Sequence, residues 1–417
     1  MTGTAGVPGK DTMSDAFQAV PIADRVWWVG AIDRSIRDFH GYATQRGTTY
    51  NAYLVQADPV VLIDTVKAPF MDEMLARIAS VVDPQKIRYI VSNHAEMDHA
   101  GGLPRAVDLI RPEKVLASAN GVKALEAQFH WGRAVDAVKD GQELRLGDAA
   151  LRFLETRMLH WPDSMMTYLV PGDVLFSQDG FGMHLASCER FADEVPADVL
   201  YAEAARYYAN ILLPLSSFVT KLLTRVAEMH LAPKIIAPDH GPVYRKDPGW
   251  IVKQYAKWAA QKPTMKAVVA FDTMWGSTEA MARAIGEGLA AGGASPVRLL
   301  PMHASHRSDV AAELLEAGAL VAGSPTINNT IFPTMADLLA YLGGLRRTNL
   351  VGAAFGSYGW SGEAVGRLEE RLKAMEVEIV ADALKVLYVP DSAALDRCRA
   401  LGSHVAAVMK GRAAAAP

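Results

Sequence analysis

The chain has 417 residues, half of them hydrophobic and 21% charged, and its formal net charge is −4. This length exceeds one ordinary hydrophobic core, so we expect two or three domains in a globular protein. The small negative charge gives no reason to expect a nucleic-acid partner. The sequence has no run that approaches the roughly 18 apolar residues of a membrane helix, and we therefore expect no membrane partner.

The cysteine content narrows the possible cofactors. The two cysteines, Cys188 and Cys398, lie far apart and in no ligand-type spacing. They exclude a cysteine-bound zinc, rubredoxin or iron–sulfur site within this sequence and favour a reducing compartment. Residues 1–20 lack the apolar core of a signal peptide. The cytoplasm is the expected location.

Hydrophobic periodicity predicts alternating strands and helices in the first 262 residues. Residues 1–18 are small and polar, and we expect them to be flexible. Asp58 and Pro59 predict a hairpin between two early strands. The predicted strands cover residues 26–30, 49–55, 60–64, 87–92, 114–118, 151–156, 167–171, 174–179 and 234–238. The predicted helices cover residues 71–82, 121–130 and 215–230, and a further helix begins at Leu103 and Pro104.

The segment SNHAEMDHAGG, residues 92–102, carries four potential metal ligands within six positions: His94, Glu96, Asp98 and His99. It follows a short buried strand. Further candidates also follow strand-like runs: His160, Asp179, His184 and His240. Strand ends of this kind converge on one edge of a folded layer, so we expect a single site. A lone histidine is more often a core or cap residue, but a whole set of them has no structural reason to share strand ends.

Spacing within the segment suggests two adjacent metals. In extended chain, alternate residues share a face, so His94, Glu96 and Asp98 would point one way and His99 toward a neighbouring position. The pattern resembles the metallo-β-lactamase superfamily motif His-x-His-x-Asp-His, with Glu96 where the second histidine is usual. The added carboxylate favours iron or manganese over zinc, although zinc also accepts carboxylates.

The composition shifts after Gly249. An amphipathic helix over residues 250–261 is broken by Lys262 and Pro263, which predicts domains of residues 1–262 and 263–417. An apolar strand, a loop of small and hydroxylated residues, and a helix beginning near Glu279 follow. Loop hydroxyls and the backbone N–H groups of the helix N-terminus predict a phosphate cradle that suits a mononucleotide. The dinucleotide and triphosphate loop patterns do not match.

Two further strand–loop segments, residues 319–333 and 353–365, strengthen the nucleotide interpretation. The C-terminal part resembles flavodoxin and implies FMN, with its phosphate on residues 273–278 and its isoalloxazine between loops 324–329 and 358–362. The predicted FMN-binding residues are Thr273, Met274, Trp275, Gly276, Ser277, Thr278, Ser324, Pro325, Thr326, Asn328, Asn329, Ser357, Tyr358, Gly359, Trp360 and Gly362.

Five motifs together resemble the flavodiiron proteins: HAEMDH, LHWPDSM, SQDGFG, APDHGPVYR and FHGYATQRGTTYNAYLV. The resemblance implies an α/β chain, with an αββα metallo-β-lactamase-like sandwich followed by a flavodoxin-like doubly wound parallel sheet. It also implies a diiron site. One iron would be held by His94, Glu96 and His160, the other by Asp98, His99 and His240, and Asp179 would bridge them.

The implied enzyme reduces dioxygen to water, nitric oxide to nitrous oxide, or both, with electrons passing from FMN to the irons. The resemblance further implies a head-to-tail homodimer or a dimer of dimers, in which the FMN of one subunit faces the irons of the other. A separate donor, such as rubredoxin, ferredoxin or a flavin reductase, would supply electrons. His40, His184 and Trp161 are candidates for a part in turnover, and a structural role fits each of them equally well.

Two alternatives remain open at the level of sequence. One is a binuclear zinc hydrolase of the metallo-β-lactamase class fused to a flavodoxin-like electron carrier. The other is an electron-carrier or sensing module whose metal half is degenerate. Glu96 argues against the first alternative, and the complete set of seven donors argues against the second.

Overall fold

The structure is a computed structural model that describes residues 17–415. Residues 1–16, most of the segment expected to be flexible, lie outside the described residues. The contacts divide the chain into two compact units. The first unit runs as far as Phe39 and continues over residues 44–204 and 217–253, and the second contains residues 40–43, 205–216 and 254–417. The domain boundary after residue 262 stays a prediction.

Two large sheets form most of the described part of the first unit. Within the described residues, the larger sheet runs, in spatial order, through Val20–Ala23, Val26–Trp28, Tyr53–Val55, Val60–Ile63, Ile87–Ser92, Lys114–Ser118 and Asp136–Val138. The smaller sheet runs through Glu143–Leu146, Ala149–Glu155, Met165–Val170, Val174–Phe176 and Ile235–Ala237. The short strands Ala31–Asp33 and Thr48–Tyr50 pair with each other. Two further short strands are Asp38–Phe39 and Tyr42–Ala43.

Alternating side chains place one core between the two sheets and another beneath the helices. Val61 and Ile63 belong to the cluster that joins the sheets, whereas Leu62 belongs to the cluster packed under helices. This alternation follows because successive strand residues point to opposite faces. The helices of the first 262 residues are Met71–Ala79, Met97–Ala100, Leu103–Ile110, Ala119–Phe129, Ala197–Tyr207, Ser216–Glu228 and Pro248–Ala259. Short 3-10 or π turns lie at Ala68–Phe70, Pro84–Lys86, Ala192–Glu194, Tyr208–Leu212 and Leu213–Leu215.

The second unit contains a parallel sheet. Its spatial order is Val297–Pro301, Ala267–Phe271, Ala319–Gly323 and Val351–Tyr358, and the last edge is shared by Glu378–Ile379 and Leu384–Leu387. In chain order this is 2-1-3-4-5, the flavodoxin-like doubly wound order. The helices are Ser277–Ala291, Arg307–Leu314, Pro333–Leu345, Glu363–Ala374 and Ser392–Ala415. Short strands Thr326–Ile327 and Thr330–Ile331 form a hairpin. The predicted fold class is confirmed.

Several element bounds differ from the sequence-based expectations. The strand expected over residues 49–55 is interrupted at Asn51 and Ala52. The helix expected from residue 121 begins two residues earlier, because the Ser118 side chain accepts a hydrogen bond from Gly121 N and caps it. The helix Ala197–Tyr207 was not predicted. Along the described part of the chain, no helix is long and apolar enough to cross a membrane.

Candidate active site

The segment that carries the first four donors changes conformation between Glu96 and Met97. Glu96 is extended, with φ −62° and ψ 146°, and a helical turn, Met97–Ala100, follows it. Backbone bonds from the N–H groups of His99 and Ala100 to Glu96 O close this turn. The expectation of extended chain through Asp98 is therefore wrong. The turn rotates Asp98 and His99 away from His94 and Glu96, so the segment serves two neighbouring positions.

The seven expected metal ligands converge in two groups. The donor atoms of each group lie within 4.8 Å of one another. Six of the seven side chains are buried, and His160 is half-buried. The first group contains His94, Glu96, His160 and Asp179, and the second contains Asp98, His99 and His240.

Asp179 faces both groups. Its Oδ2 lies 2.8 Å from His160 Nε2 and 3.4 Å from His94 Nε2. Its Oδ1 lies 3.1 Å from His99 Nε2 and 3.3 Å from His240 Nε2. One carboxylate oxygen is thus presented to each group, which is the arrangement that a bridging carboxylate requires.

The histidines are oriented by contacts on their other ring nitrogen. His94 Nδ1 lies 3.0 Å from Asp163 Oδ2, and His240 Nδ1 lies 2.6 Å from Thr49 O. Donation from Nδ1 to these oxygens leaves the Nε2 lone pair directed into the site. Asp163 and Thr49 therefore act as supports for the donors.

The donor set fits two hard or borderline cations. Among the described residues, both oxygens of Asp98, both ring nitrogens of His99 and Asp179 Oδ1 are buried and make no well-aligned hydrogen bond, although His99 Nε2 and Asp179 Oδ1 lie 3.1 Å apart. Buried polar atoms are ordinarily hydrogen-bonded, so such a cluster calls for a partner that the protein itself does not supply. Four imidazoles and three carboxylates suit iron.

The electrostatics of the buried donor groups agree with a cation site. Burial alone would lower the pKa of His94, but hydrogen bonds with Asp163 and Glu96 raise it to about 10. Burial alone would raise the pKa of Asp179, yet the charge on His99 and a hydrogen bond with His160 hold it well below its usual range. Both shifts arise because imidazoles and carboxylates lie close together in a buried pocket, and binding of a metal would release the imidazole protons.

The three other candidates lie in different environments. His184 is buried, its Nδ1 lies 2.8 Å from Thr48 Oγ1, and its ring centroid lies 4.7 Å from that of His240. Burial and the charge of His240 hold the pKa of His184 well below its usual range. Trp161 is half-buried with its ring edge-on to His94 at 5.2 Å. His40 is exposed, belongs to the second unit and is in neither donor group.

Sequence reasoning missed residues that support the donors. Asp163 also accepts a hydrogen bond from Ala95 N at 2.7 Å, and Asp64 accepts bonds from both the backbone and the side chain of Asn93. Asp239 Oδ2 lies 3.5 Å from His99 Nδ1. Asp163 and Asp239 stand beside predicted ligands in the motifs HWPDS and APDHG, and that adjacency was the available signal.

The second unit has a cavity of about 370 Å³ at the carboxyl ends of its central strands. Nine predicted FMN residues line it, and Tyr388 and Val389, which were not predicted, complete the wall. The nine are Met274, Trp275, Ser277, Pro325, Thr326, Ser357, Tyr358, Gly359 and Trp360. The size and the flat aromatic walls suit a planar ring.

The remaining predicted residues lie around this cavity without lining it, and they stabilise its loops. Thr278 Oγ1 and Ser357 Oγ are hydrogen-bonded at 2.9 Å, and Ser324 Oγ accepts from Phe332 N. Asn328 and Asn329, both with positive φ, form the turn of the short hairpin. The other predicted FMN residues that do not line the cavity are Thr273, Gly276 and Gly362.

A sandwich with a paired imidazole and carboxylate site, followed by a flavodoxin-like unit with a ring-sized cavity, defines a metal-dependent flavoprotein oxidoreductase. Residues 48–241 match the family model "ODP family beta lactamase", and residues 269–402 match the "Flavodoxin" model. The chain is 48% identical to the "Nitric oxide reductase" of Moorella thermoacetica, over 94% of this chain and 98% of that protein.

Solved structures agree over nearly the whole length. The rubredoxin oxygen:oxidoreductase of Desulfovibrio gigas superimposes with a TM-score of 0.93 at 43% identity, covering 95% of this chain and 99% of that one. The flavodiiron protein of Giardia intestinalis gives 0.92 at 32% identity, covering 96% and 99%. The chain belongs to the flavodiiron protein family. It is an oxidoreductase whose cofactors are FMN and two non-haem irons.

Proposed function

We propose that the chain reduces dioxygen to water, nitric oxide to nitrous oxide, or both, with electrons passing from FMN to the diiron site. Dioxygen takes four electrons and four protons to give two waters. Two molecules of nitric oxide take two electrons and two protons to give nitrous oxide and one water. The observation that carries the proposal is the position of Asp179, with one oxygen toward each donor group. The names of the two relatives above support both substrates.

We assign the ligands from the two donor groups. His94, Glu96 and His160 would hold one iron, Asp98, His99 and His240 would hold the other, and Asp179 would bridge them. An iron pair held by these residues would supply two electrons to the substrate and stabilise its developing negative charge. The protein's own part is to exclude water by burial and to fix the imidazole tautomers through Asp163 and Thr49.

We further propose the predicted residues as the FMN site, with Tyr388 and Val389 added to its wall. Thr273, Ser277 and Thr278 surround the N-terminus of the helix Ser277–Ala291, whose backbone N–H groups suit a phosphate. Tyr358, Trp360 and Tyr388 supply aromatic surface for the isoalloxazine.

His184, Trp161 and His40 are proposed to assist turnover. Because burial lowers the pKa of His184, we infer that it holds Thr48 and relays protons rather than acting as a charged acid. Trp161 would shield the His94 edge of the site from water. His40, which is exposed, would exchange protons with solvent.

We propose a head-to-tail homodimer, or a dimer of dimers, in which the FMN of one chain serves the irons of the other. The rim of the flavin cavity is exposed and apolar, with Trp275 at 93% and Trp360 at 86% exposure, and Leu387 and Val389 are exposed beside them. Met97, next to Glu96, is 51% exposed. Apolar patches of this kind mark protein contacts. A separate rubredoxin, ferredoxin or flavin reductase would donate electrons, and the two free cysteines support a cytoplasmic location.

Mixing two inactive variants tests the dimer. His99→Ala removes a metal ligand, and Thr326→Trp fills the flavin cavity. In a head-to-tail dimer, mixed pairs contain one intact junction, so random exchange of subunits should restore about a quarter of the wild-type activity. Each variant alone should stay inactive. If the mixture is as inactive as its components after subunit exchange, the arrangement is wrong.

Anaerobic stopped-flow tests the reaction itself. Iron and FMN are counted first, the protein is reduced fully, and it is then mixed with dioxygen or with nitric oxide. We expect two irons and one FMN per chain, and fast reoxidation of flavin and iron by at least one gas. Zinc without iron would favour the hydrolase alternative. FMN without metal, together with no reaction with either gas, would favour the carrier alternative.

A further inference from the structure

The segment that carries His240 is fixed by a neighbouring side chain of the first unit. Residues 238–241 follow the strand Ile235–Ala237 and run beside residues 49–51. Asn51 is fully buried at the interruption between Thr48–Tyr50 and Tyr53–Val55. Its position beside the ligand loop explains why the strand predicted over 49–55 is broken there.

Asn51 makes three hydrogen bonds to this segment. Its backbone N–H donates to Asp239 O at 2.7 Å. Its Nδ2 donates to Pro238 O at 2.7 Å and to Gly241 O at 2.9 Å. The carbonyls before and after His240 are thereby held by one amide group, and so is the backbone orientation of the histidine between them.

The orientation of the Asn51 amide is itself fixed. Trp28 Nε1 donates to Asn51 Oδ1 at 2.7 Å, so the amide oxygen and nitrogen have distinct partners. The guanidinium of buried Arg190 lies 3.8 Å from the Trp28 ring centroid, and that of Arg77 lies 4.6 Å from it. Such cation–π contacts hold the indole in place.

The backbone opposite leaves no space for an alternative arrangement. A Cβ on Gly30 would lie 2.3 Å from Tyr50 O, 2.7 Å from Asn51 Cα and 2.9 Å from Trp28 Nε1. Glycine at this position lets the chain pass close to Asn51. The backbone of Asn51 and the indole nitrogen of Trp28 are therefore both packed closely against Gly30.

We propose that Asn51 is a positioning residue for His240, acting through residues 238–241 and set in place by Trp28. This inference rests on the proposed ligand set, in which His240 binds the second iron together with Asp98 and His99. Asn51, which lies outside both donor groups, would thus control the position of the second iron and not that of the first. Loss of an outer support typically lowers metal affinity 10- to 100-fold.

Anaerobic titration of metal-free protein with Fe(II) tests the inference. Wild type should bind two Fe(II) per chain. Asn51→Leu should leave one site unchanged and weaken the other about 10- to 100-fold. Trp28→Phe keeps the ring but removes the N–H, and it should weaken the same site to a smaller extent. If Asn51→Leu does not fold, Trp28→Phe still tests the inference.

The second unit offers a matched control. Asn210 Nδ2 donates to two carbonyls, Arg206 O and Ser308 O, and its Oδ1 accepts from Tyr341 OH. Asn210→Leu thus removes the same kind of buried amide and should leave both Fe(II) sites unchanged. Equal weakening of both sites by Asn51→Leu, no weakening, or the same effect from Asn210→Leu would overturn the inference. Wild type that binds fewer than two Fe(II) would instead contradict the proposed function.

Discussion

Glu96 contributes a buried carboxylate where a zinc site of this superfamily would use an imidazole. Its Oε2 lies 3.2 Å from His94 Nε2 and 3.0 Å from His160 Nε2. The extra negative charge favours ferric over ferrous iron and a hard cation over a soft one. We therefore propose that Glu96 sets the metal preference of the first position.

Glu96→His should shift the metal content toward zinc. Protein produced with iron and zinc both in excess would be analysed for each metal, and the zinc-to-iron ratio of the variant should exceed that of wild type several-fold. Glu96→Gln, which keeps the shape and removes the charge, should lose metal without the preference for zinc. An unchanged ratio in Glu96→His would show that the carboxylate does not set the metal.

The pKa of His94 predicts how the metal-free protein responds to pH. It is raised from 6.5 to about 10. A raised pKa contributes stability that is fully present below the unfolded value and is lost as pH rises through the folded value. The free energy of unfolding of metal-free protein should therefore fall between pH 7 and 10. Urea titrations should show a smaller fall in Asp163→Asn, and an equal fall in both proteins would contradict the assignment.

The donors could be found from sequence because each is a polar residue of ligand type at the end of an apolar run. Which residue supports which donor could not be predicted. Asp163 supports His94 from a loop 69 residues away in sequence, and Thr49 supports His240 across 191 residues. Such contacts depend on how the two sheets stack, and no local pattern records that. The conformation of Met97–Ala100 was also missed, because four residues are too few to show helical periodicity.

Among the elements of the second unit, two helices pack with their backbones in contact. A Cβ on Gly288, in Ser277–Ala291, would lie 2.0 Å from Arg399 O in the helix Ser392–Ala415. A Cβ on Gly402 would lie 2.1 Å from Ile285 O. Both neighbours are backbone atoms, which cannot move aside as a flexible side chain can. The first of these helices also begins at the proposed phosphate cradle.

Gly288→Ala should therefore destabilise the second unit by about 1–3 kcal/mol through overpacking, and it should weaken FMN retention. Thermal unfolding and flavin release on dilution would measure both effects. Gly366→Ala is the matched control, because its Cβ would meet nothing within 4 Å, and it should stabilise its helix by about 0.5–1 kcal/mol. If the two variants behave alike, the close contact between the helices is not rigid.

For the whole molecule, the proposed sites lie one in each unit, and the two kinds of redox centre together define the reaction. A flavodoxin-like unit alone would carry electrons without consuming a substrate, and a metal sandwich alone would lack an electron supply. The alternation of strands and helices and the candidate donors followed from hydrophobic runs and strand-end residues, whereas the doubly wound sheet and the choice of seven donors followed from the family resemblance. The contribution of Tyr388 and Val389 could not be predicted, because they line the cavity of the second unit from a segment beyond the three loops that the sequence indicated.

We propose that seven side chains between His94 and His240 form a single diiron centre. Anomalous diffraction at the iron edge, from crystals of iron-loaded protein, would locate the metals. We expect two iron peaks per chain roughly 3.5–4 Å apart. One peak should lie against His94, Glu96 and His160, the other against Asp98, His99 and His240, and Asp179 should contact both. A single peak, or iron located away from these residues, would show that the seven side chains do not form this centre.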